Sequence, residues 1–242
     1  MNTPAQPLSP VNVKAWFPTL ICDFESQRHD EFKTIFYNNM AKYVHPEGLD
    51  GEHADLFFHH NTEFEFFFQE ITHFAKQYLV AMEIDPEEWD FNLVNCWWQS
   101  LKNNNIPMHN HSDAHLSFVY YANAPPGSGN LIFQTDTNFI NDLTNGLFLD
   151  DYEKNLPFKR YNHFNSMSVA YEAKEGLVVI FPGRLDHMTT PMPVEHGGKQ
   201  TTDVDIIKKR RISIAGDFLL TFKKPKHTAM GLQPVNCWRN FG

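Results

Sequence analysis

Three histidines and one aspartate stand within seven residues, in the stretch HNHSDAH at positions 109–115. Imidazole and carboxylate groups are common ligands of first-row transition metals. His111 and Asp113 form an H-x-D pair, and if His111 ends a strand, the bend after it brings the Asp113 carboxylate round to the same ion. His109 and His111 project to the same side of an extended chain and are an alternative pair. The stretch therefore predicts His111 and Asp113 as metal ligands and leaves His109 open.

A third candidate ligand, His187, follows the apolar run GLVVIFPG at 176–183, which is typical of a buried strand. Two imidazoles and one carboxylate on one face of an octahedron leave three positions open, an arrangement that suits non-haem Fe(II) oxygen chemistry. Zinc hydrolases use similar ligands, so the ligand set alone does not decide the metal. His115 is interpreted differently, as a residue that marks the start of the next strand.

Arg211 opens another apolar run, RISIAGDF, and Ser213 lies two residues on, on the same side of that strand. An iron site of this kind needs a co-substrate that chelates the metal and donates electrons, and a 2-oxo acid does both. Its distal carboxylate needs a fixed cation, best supplied by arginine as a bidentate fork. The alternative is that Arg210 and Arg211 end a solvated basic loop that begins at Lys208.

The elements that must position these residues divide the chain into a helical first part and a strand-rich second part. Apolar residues at spacings of three and four predict a helix over 28–44. A second helix is predicted to begin at Thr62, where Glu65 completes a capping box. From about residue 91 onward, short aromatic and β-branched runs separated by turn residues indicate an antiparallel sandwich or barrel. We expect an all-β core with flanking helices, an α+β class.

The 242 residues are expected to form a single domain, because one β-rich core can reach this size. Its parts would be a helical support over 1–90, a core over 91–222 and a tail over 223–242. Two polar stretches, 136–167 and 192–209, interrupt the strands. Loops of this length in a compact domain are usually lids, binding loops or disordered insertions.

The composition excludes several classes of partner. A net charge of −9 argues against nucleic acid or an anionic membrane, because both need a basic face. Three cysteines, far apart and odd in number, indicate neither a disulfide framework nor a CxxC metal site. The N-terminus lacks the features of a signal peptide, and no apolar run approaches a membrane span. We expect a cytoplasmic protein.

Several of these motifs together resemble a known family. The segments are WFPTLICDF near the start, CWWQSLKNNNIPMHNHSDAHLSFVYYAN, GLVVIFPGRLDHMTTP and RRISIAGDF. They are similar to the Fe(II)/2-oxoglutarate-dependent oxygenases of the double-stranded β-helix group, and the resemblance covers most of 91–220. One departure is Phe118, which stands where the family's LSG motif has glycine.

The resemblance implies a jelly-roll, cupin-like barrel with Fe(II) between His111, Asp113 and His187. It implies that Arg211 and Ser213 hold the C5 carboxylate of 2-oxoglutarate. The implied activity is that of a dioxygenase that uses O2 to hydroxylate a small-molecule substrate, with formation of succinate and CO2. A homodimer is the assembly to be tested.

Two other classes of protein remain open at this point. A cupin-type metalloprotein that does not use 2-oxoglutarate would account for the H-x-H pair at 109–111, but it gives Arg211 no role. A non-enzymatic sandwich module would use its aromatic surface for binding and would hold no metal.

Overall fold

Two antiparallel sheets and the helices that cover one of them make up the part of the chain that the structure describes. This computed structural model describes residues 19–44, 56–101, 105–134, 168–191, 202–227 and 231–240. The strands are β1 Cys22–Glu25, β2 Trp89–Leu101, β3 Leu116–Asn123, β4 Asn130–Gln134, β5 Ser168–Glu172, β6 Leu177–Pro182, β7 His187–Thr189 and β8 Arg211–Phe222. The helices are α1 His29–Tyr43, α2 Glu65–Ala81 and the short α3 Val204–Ile207. The predicted β-rich core with flanking helices is confirmed.

The larger sheet has five strands in the order β1-β6-β3-β8-β2, and the smaller has three in the order β5-β4-β7. Because side chains alternate across a strand, the larger sheet has two different faces. One face contacts the helices through buried apolar side chains, among them Trp98, Phe118, Tyr120, Ile180, Ile212 and Ile214. The other face packs against the smaller sheet through Leu131, Phe133, Val179 and Phe181.

Helix α1 lies where its periodicity predicts it and buries Phe32, Phe36 and Met40. The predicted start of the second helix at Thr62 is wrong. Residues Thr62–Phe64 form a 3₁₀ turn without a side-chain cap, and α2 begins at Glu65. Phe64 is fully buried, so packing of its ring fixes this turn in place of the capping box.

The interpretation of Arg210 and Arg211 as the end of a solvated loop is also wrong. Both side chains are buried, with exposures of 2% and 1%. The residues just before them form α3, whose Asp203 accepts hydrogen bonds from the N–H groups of Asp205 and Ile206. Helix α3 buries Ile207, which turns the chain inward to start β8. The predicted insertion at 136–167 and most of the one at 192–209 lie outside the described residues.

Strands β3 and β8 pack closely because a large side chain on one strand lies opposite a glycine on the other. Phe118 on β3 lies opposite Gly216 on β8. A Cβ atom built on Gly216 would lie 2.6 Å from Cε1 of Phe118, so no side chain fits there while the ring is present. Phe118 is fully buried and packs 5.9 Å, centroid to centroid, from Phe218. The residue that departs from the family's glycine is thus accommodated by a glycine on the neighbouring strand.

Helices long and apolar enough to cross a bilayer are absent from the described ranges. Cys22, Cys96 and Cys237 are not joined in disulfide bonds.

Candidate active site

The segment 105–115 crosses the mouth between the two sheets and carries the clustered histidines. His109 and His187 exchange backbone hydrogen bonds, with N···O distances of 3.0 and 2.9 Å. The N–H of His111 donates to the carbonyl of Gly183 at 2.7 Å. A Cβ on Gly183 would lie 2.6 Å from the carbonyl oxygen of Ala114, so glycine allows this close approach. Backbone pairing therefore fixes the segment against the end of β6 and the start of β7.

Three histidine side chains converge at this point. Each of His109, His111 and His187 offers a ligand atom, and these atoms lie within 4.8 Å of one another. Within the described residues this is the one group of three potential metal-ligating side chains found. His187 is buried, whereas His109 and His111 are half-buried at the mouth. Burial lowers the pKa of His187 to about 4, with His109 and His111 acting in the same direction and a hydrogen bond to Leu185 opposing it. Its imidazole is therefore neutral and able to bind a metal at neutral pH.

The Nδ1 atom of every histidine in this trio is already hydrogen-bonded. Nδ1 of His109 lies 2.8 Å from the carbonyl oxygen of Pro107, and Nδ1 of His187 lies 2.9 Å from that of Leu185. Nδ1 of His111 lies 2.5 Å from Oδ1 of Asp217. Because all three partners are acceptors, these hydrogen bonds favour the proton on Nδ1 and leave Nε2 of each imidazole as the atom that faces a metal. The donor set fits a divalent first-row ion held by three imidazoles.

Asp113 lies in the turn that follows His111. The N–H of Ala114 bonds to the carbonyl of His111, which closes a turn, and Asp113 projects from it as an exposed side chain. Asp113 lines the cavity described below but is not part of the group of three. His109 completes that group, as the open alternative allowed, and a ligand role for Asp113 stays a prediction. His115 is structural, since its Nδ1 accepts the N–H of Leu220 at 3.0 Å.

Arg211 occupies the far end of the same cavity. Its Nη1 donates to the carbonyl oxygen of Ser128 at 2.5 Å. Its Nε and Nη2 are buried and have no hydrogen-bond partner among the described residues. Burial lowers the pKa of Arg211, but an arginine keeps its charge under physiological conditions. A buried guanidinium with unused N–H groups needs an anionic partner, because an unpaired charge is costly away from water.

Two hydroxyl groups lie beside this guanidinium. Ser213 and Tyr121 are directly opposite each other on β8 and β3, and both line the cavity. Oη of Tyr121 is buried and, within the described part of the chain, has no partner. Burial raises the pKa of Tyr121 to about 12, and the charge of Arg211 opposes that rise. Tyr121 is therefore a neutral hydroxyl that can donate a hydrogen bond to the same anion as Arg211.

One cavity of about 460 Å³ connects the trio of histidines to Arg211. Trp97 lines it, 5.6 Å from His111 between ring centroids, whereas Trp98 faces the helices. Tyr121 and Asp217 are functional candidates that sequence reasoning missed. The signal for Asp217 was available, because an acidic residue inside a buried strand is rare. Tyr121 had no such signal, because tyrosine is ordinary in a strand.

Part of the chain that lines this cavity matches a known protein family. Residues 95–198 match the model of a family described as "Putative 2OG-Fe(II) oxygenase". This range contains the three histidines and Tyr121, and it ends before Arg211. The resemblance predicted from the sequence is thereby confirmed. The match covers less than half of the chain. Members of this oxygenase family use Fe(II) and 2-oxoglutarate.

Solved structures of low sequence identity are similar to this chain. A prolyl-4-hydroxylase (P4H) from Pseudomonas putida is 11% identical with a TM-score of 0.45, over 83% of this chain and 92% of the other. AviO1 from Streptomyces viridochromogenes Tue57 is 11% identical with a TM-score of 0.49, over 89% and 93%. A 2OG-Fe(II) oxygenase family oxidoreductase from Burkholderia pseudomallei is 11% identical with a TM-score of 0.33; the match covers 53% of this chain and 45% of that one. No curated protein matches the chain.

Proposed function

We propose that this protein is a non-haem Fe(II)- and 2-oxoglutarate-dependent dioxygenase that hydroxylates a small-molecule substrate. The observation that carries the proposal is the presence, in one cavity, of three convergent imidazoles and a buried guanidinium without an anionic partner. The imidazoles account for the metal. The guanidinium accounts for a co-substrate with a carboxylate.

His111 and His187 are the proposed metal ligands that the sequence also predicts, and His109 is the proposed third. Asp113 remains the alternative third ligand, because it lies on the rim of the cavity two residues beyond His111. When bound, Fe(II) with 2-oxoglutarate supplies the activation of O2. One oxygen atom would go to succinate, formed with loss of CO2, and the other to the substrate, which exchanges a C–H bond for a C–O–H group.

Arg211 and Ser213 are the proposed partners of the C5 carboxylate of 2-oxoglutarate, and Tyr121 joins them. Arg211 can give that carboxylate two N–H donors from Nε and Nη2, which are the atoms that have no partner in the described residues. The sheet holds all three side chains at fixed positions, so the anion would be oriented without a further conformational change. Trp97, beside His111, forms part of the apolar wall that keeps bulk water from the metal. The proposed architecture is a jelly-roll barrel formed by the two sheets.

The test is an anaerobic titration of apo-protein with Fe(II) and then 2-oxoglutarate, followed by visible absorption. We expect the charge-transfer band of an Fe(II)–2-oxoglutarate chelate in the wild type. The band should be lost in His187→Ala and Arg211→Ala. It should persist in Arg28→Ala, a matched control in which an exposed arginine of the helical side, paired with Glu31, is removed.

Two results would contradict the proposal. Metal binding without a band would favour the cupin-type alternative, in which 2-oxoglutarate has no part. A protein that binds neither Fe(II) nor Co(II) would exclude both metal-dependent functions. If the band forms, release of succinate from added candidate substrates identifies the reaction.

A further inference from the structure

The three imidazoles differ in the group that accepts their Nδ1 proton. His109 and His187 donate to backbone carbonyls two residues earlier in the chain, of Pro107 and Leu185. His111 donates to a carboxylate instead, that of Asp217 on β8. A carboxylate acceptor makes a charge-assisted hydrogen bond, which is shorter and stronger than one to a carbonyl. The imidazole of His111 is thus oriented by a stronger hydrogen bond than the imidazoles of His109 and His187.

Asp217 is buried, with an exposure of 4%, in a strand whose buried side chains are mostly apolar. Its Oδ1 accepts from Nδ1 of His111 at 2.5 Å and from Oγ of Ser117 at 2.7 Å. Its hydrogen bonds and ion pairs within the described ranges involve no lysine or arginine. A buried carboxylate is costly unless it is hydrogen-bonded or paired. Both hydrogen bonds of Asp217 lead to the metal side of the sheet, which indicates that its role lies there.

Three neutral imidazoles would leave the ligand set of the ion without a negative charge. A facial triad with one carboxylate supplies that charge directly. Among the described residues the buried carboxylate is that of Asp217, which lies behind His111, one hydrogen bond away from the imidazole. Carboxylate acceptors of this kind fix the tautomer and orientation of a ligating histidine and raise the basicity of its other nitrogen.

We propose that Asp217 is a positioning residue that controls metal affinity through His111, with Ser117 holding its carboxylate. This rests on the proposed metal site. Asp217 keeps the proton of His111 on Nδ1, directs Nε2 at the ion and strengthens it as a donor. Loss of the carboxylate therefore weakens metal binding without removing a ligand.

The experiment compares Co(II) affinity, read from visible ligand-field absorption, in the wild type and in Asp217→Asn and Asp217→Leu. We expect a loss of affinity of about 10–100-fold in Asp217→Leu, the range typical when the residue that accepts the other ring N–H of a metal-bound histidine is mutated. Asp217→Asn should show a smaller loss, because its amide oxygen still accepts the Nδ1 proton but carries no charge. Ser117→Ala, which removes the hydrogen bond that holds the carboxylate, should show a smaller loss than Asp217→Leu. Thr221→Val is the matched control and should leave affinity unchanged, because Thr221 is a buried polar residue of the same strand that does not line the cavity. The melting temperature of each apo-variant shows whether the fold is intact.

A purely structural role for Asp217 would lower the melting temperature and leave Co(II) affinity unchanged in the folded fraction. That result would overturn the proposal. A second readout is the proton NMR spectrum of the Co(II) protein, where three shifted, exchangeable ring N–H signals are expected. One of them should exchange faster with water in Asp217→Leu, and three unaltered signals would also overturn it. Absence of Co(II) binding in the wild type would instead overturn the metal site itself, and the role of Asp217 with it.

Discussion

At the scale of single residues, the surroundings of Arg211 and of the three histidines indicate which ligands each can bind. Within the described part of the chain, the guanidinium of Arg211 donates to one carbonyl oxygen and is paired with no carboxylate. The trio presents three donor atoms whose other ring nitrogens are already bonded. Both groups are incomplete without a ligand, and the ligands that complete them have opposite charge.

Arg211→Ala should abolish tight binding of 2-oxoglutarate while leaving metal binding intact. Truncating one partner of a buried, hydrogen-bonded charge pair costs about 2–5 kcal/mol, which is at least about 30-fold in Kd. Calorimetric titration of the Co(II) protein with 2-oxoglutarate gives this ratio, and titration with Co(II) alone is the internal control. Equal 2-oxoglutarate affinity in both proteins would contradict the role of Arg211.

The identity of the third ligand can be decided with His109→Ala and Asp113→Ala. Because His109 lies within 4.8 Å of the other two ligand atoms, its loss should reduce Co(II) binding by orders of magnitude. Asp113 is exposed and outside the trio, so Asp113→Ala should bind Co(II) much as the wild type does. The reverse outcome would restore the H-x-D pair predicted from the sequence.

The candidate site could be predicted in part from the sequence at this scale. His111, His187 and Arg211 were identifiable because each stands at the end or start of an apolar run. The choice between His109 and Asp113 was not, since it depends on a turn that closes between His111 and Ala114. Whether a side chain two residues on faces the ion or the solvent is decided by that turn.

The strands and helices follow from their periodicity, but their pairing does not. Helix α1 and the β-rich second half were predicted from spacing alone. The contact between β3 and β8 joins residues about a hundred positions apart, and a local pattern carries no information about it. The start of α2 was missed for a related reason, because burial of Phe64 decided it.

Gly216→Ala tests the fit between these two strands. The new methyl group would overlap the ring of Phe118, and overpacking of this kind costs about 1–3 kcal/mol. In a Phe118→Ala background, which is itself destabilised by about 3–5 kcal/mol, the same change should cost less, because the carbonyl oxygen of Asn95, 3.0 Å from the new Cβ, is then its remaining close contact. Chemical denaturation of the four proteins gives the coupling energy. Additive effects would show that the ring and the glycine do not share the space.

In the molecule as a whole, the two faces of the larger sheet have different roles: one packs the main apolar core, and the other lines the proposed site. The helical face contains most of the buried apolar side chains, and the opposite face contains the cavity. Changes in the cavity should therefore affect ligand binding more than folding. Ligands should in turn stabilise the whole fold by mass action.

The melting temperature of the wild type should rise in two steps, first with the metal and then with 2-oxoglutarate. At about 100 times its Kd a ligand adds about 2.7 kcal/mol, which corresponds to a rise of about 5–10 °C for a protein of this size. Co(II) should raise the melting temperature alone, and 2-oxoglutarate should raise it further when the metal is present. His187→Ala should lose both shifts and Arg211→Ala only the second. A shift by 2-oxoglutarate in metal-free His187→Ala would contradict the shared site.

The mutual backbone bonds of His109 and His187 also bear on how quickly an ion is captured. The chain gathers its ligands when it folds, so no loop has to close around an arriving ion. The slow step of loading is then the ion's release of its own water molecules, and this step is a property of the metal. Ni(II), which exchanges water slowly, should load more slowly than Co(II) in a stopped-flow experiment. Equal rates for the two ions would mean that a motion of the chain limits capture.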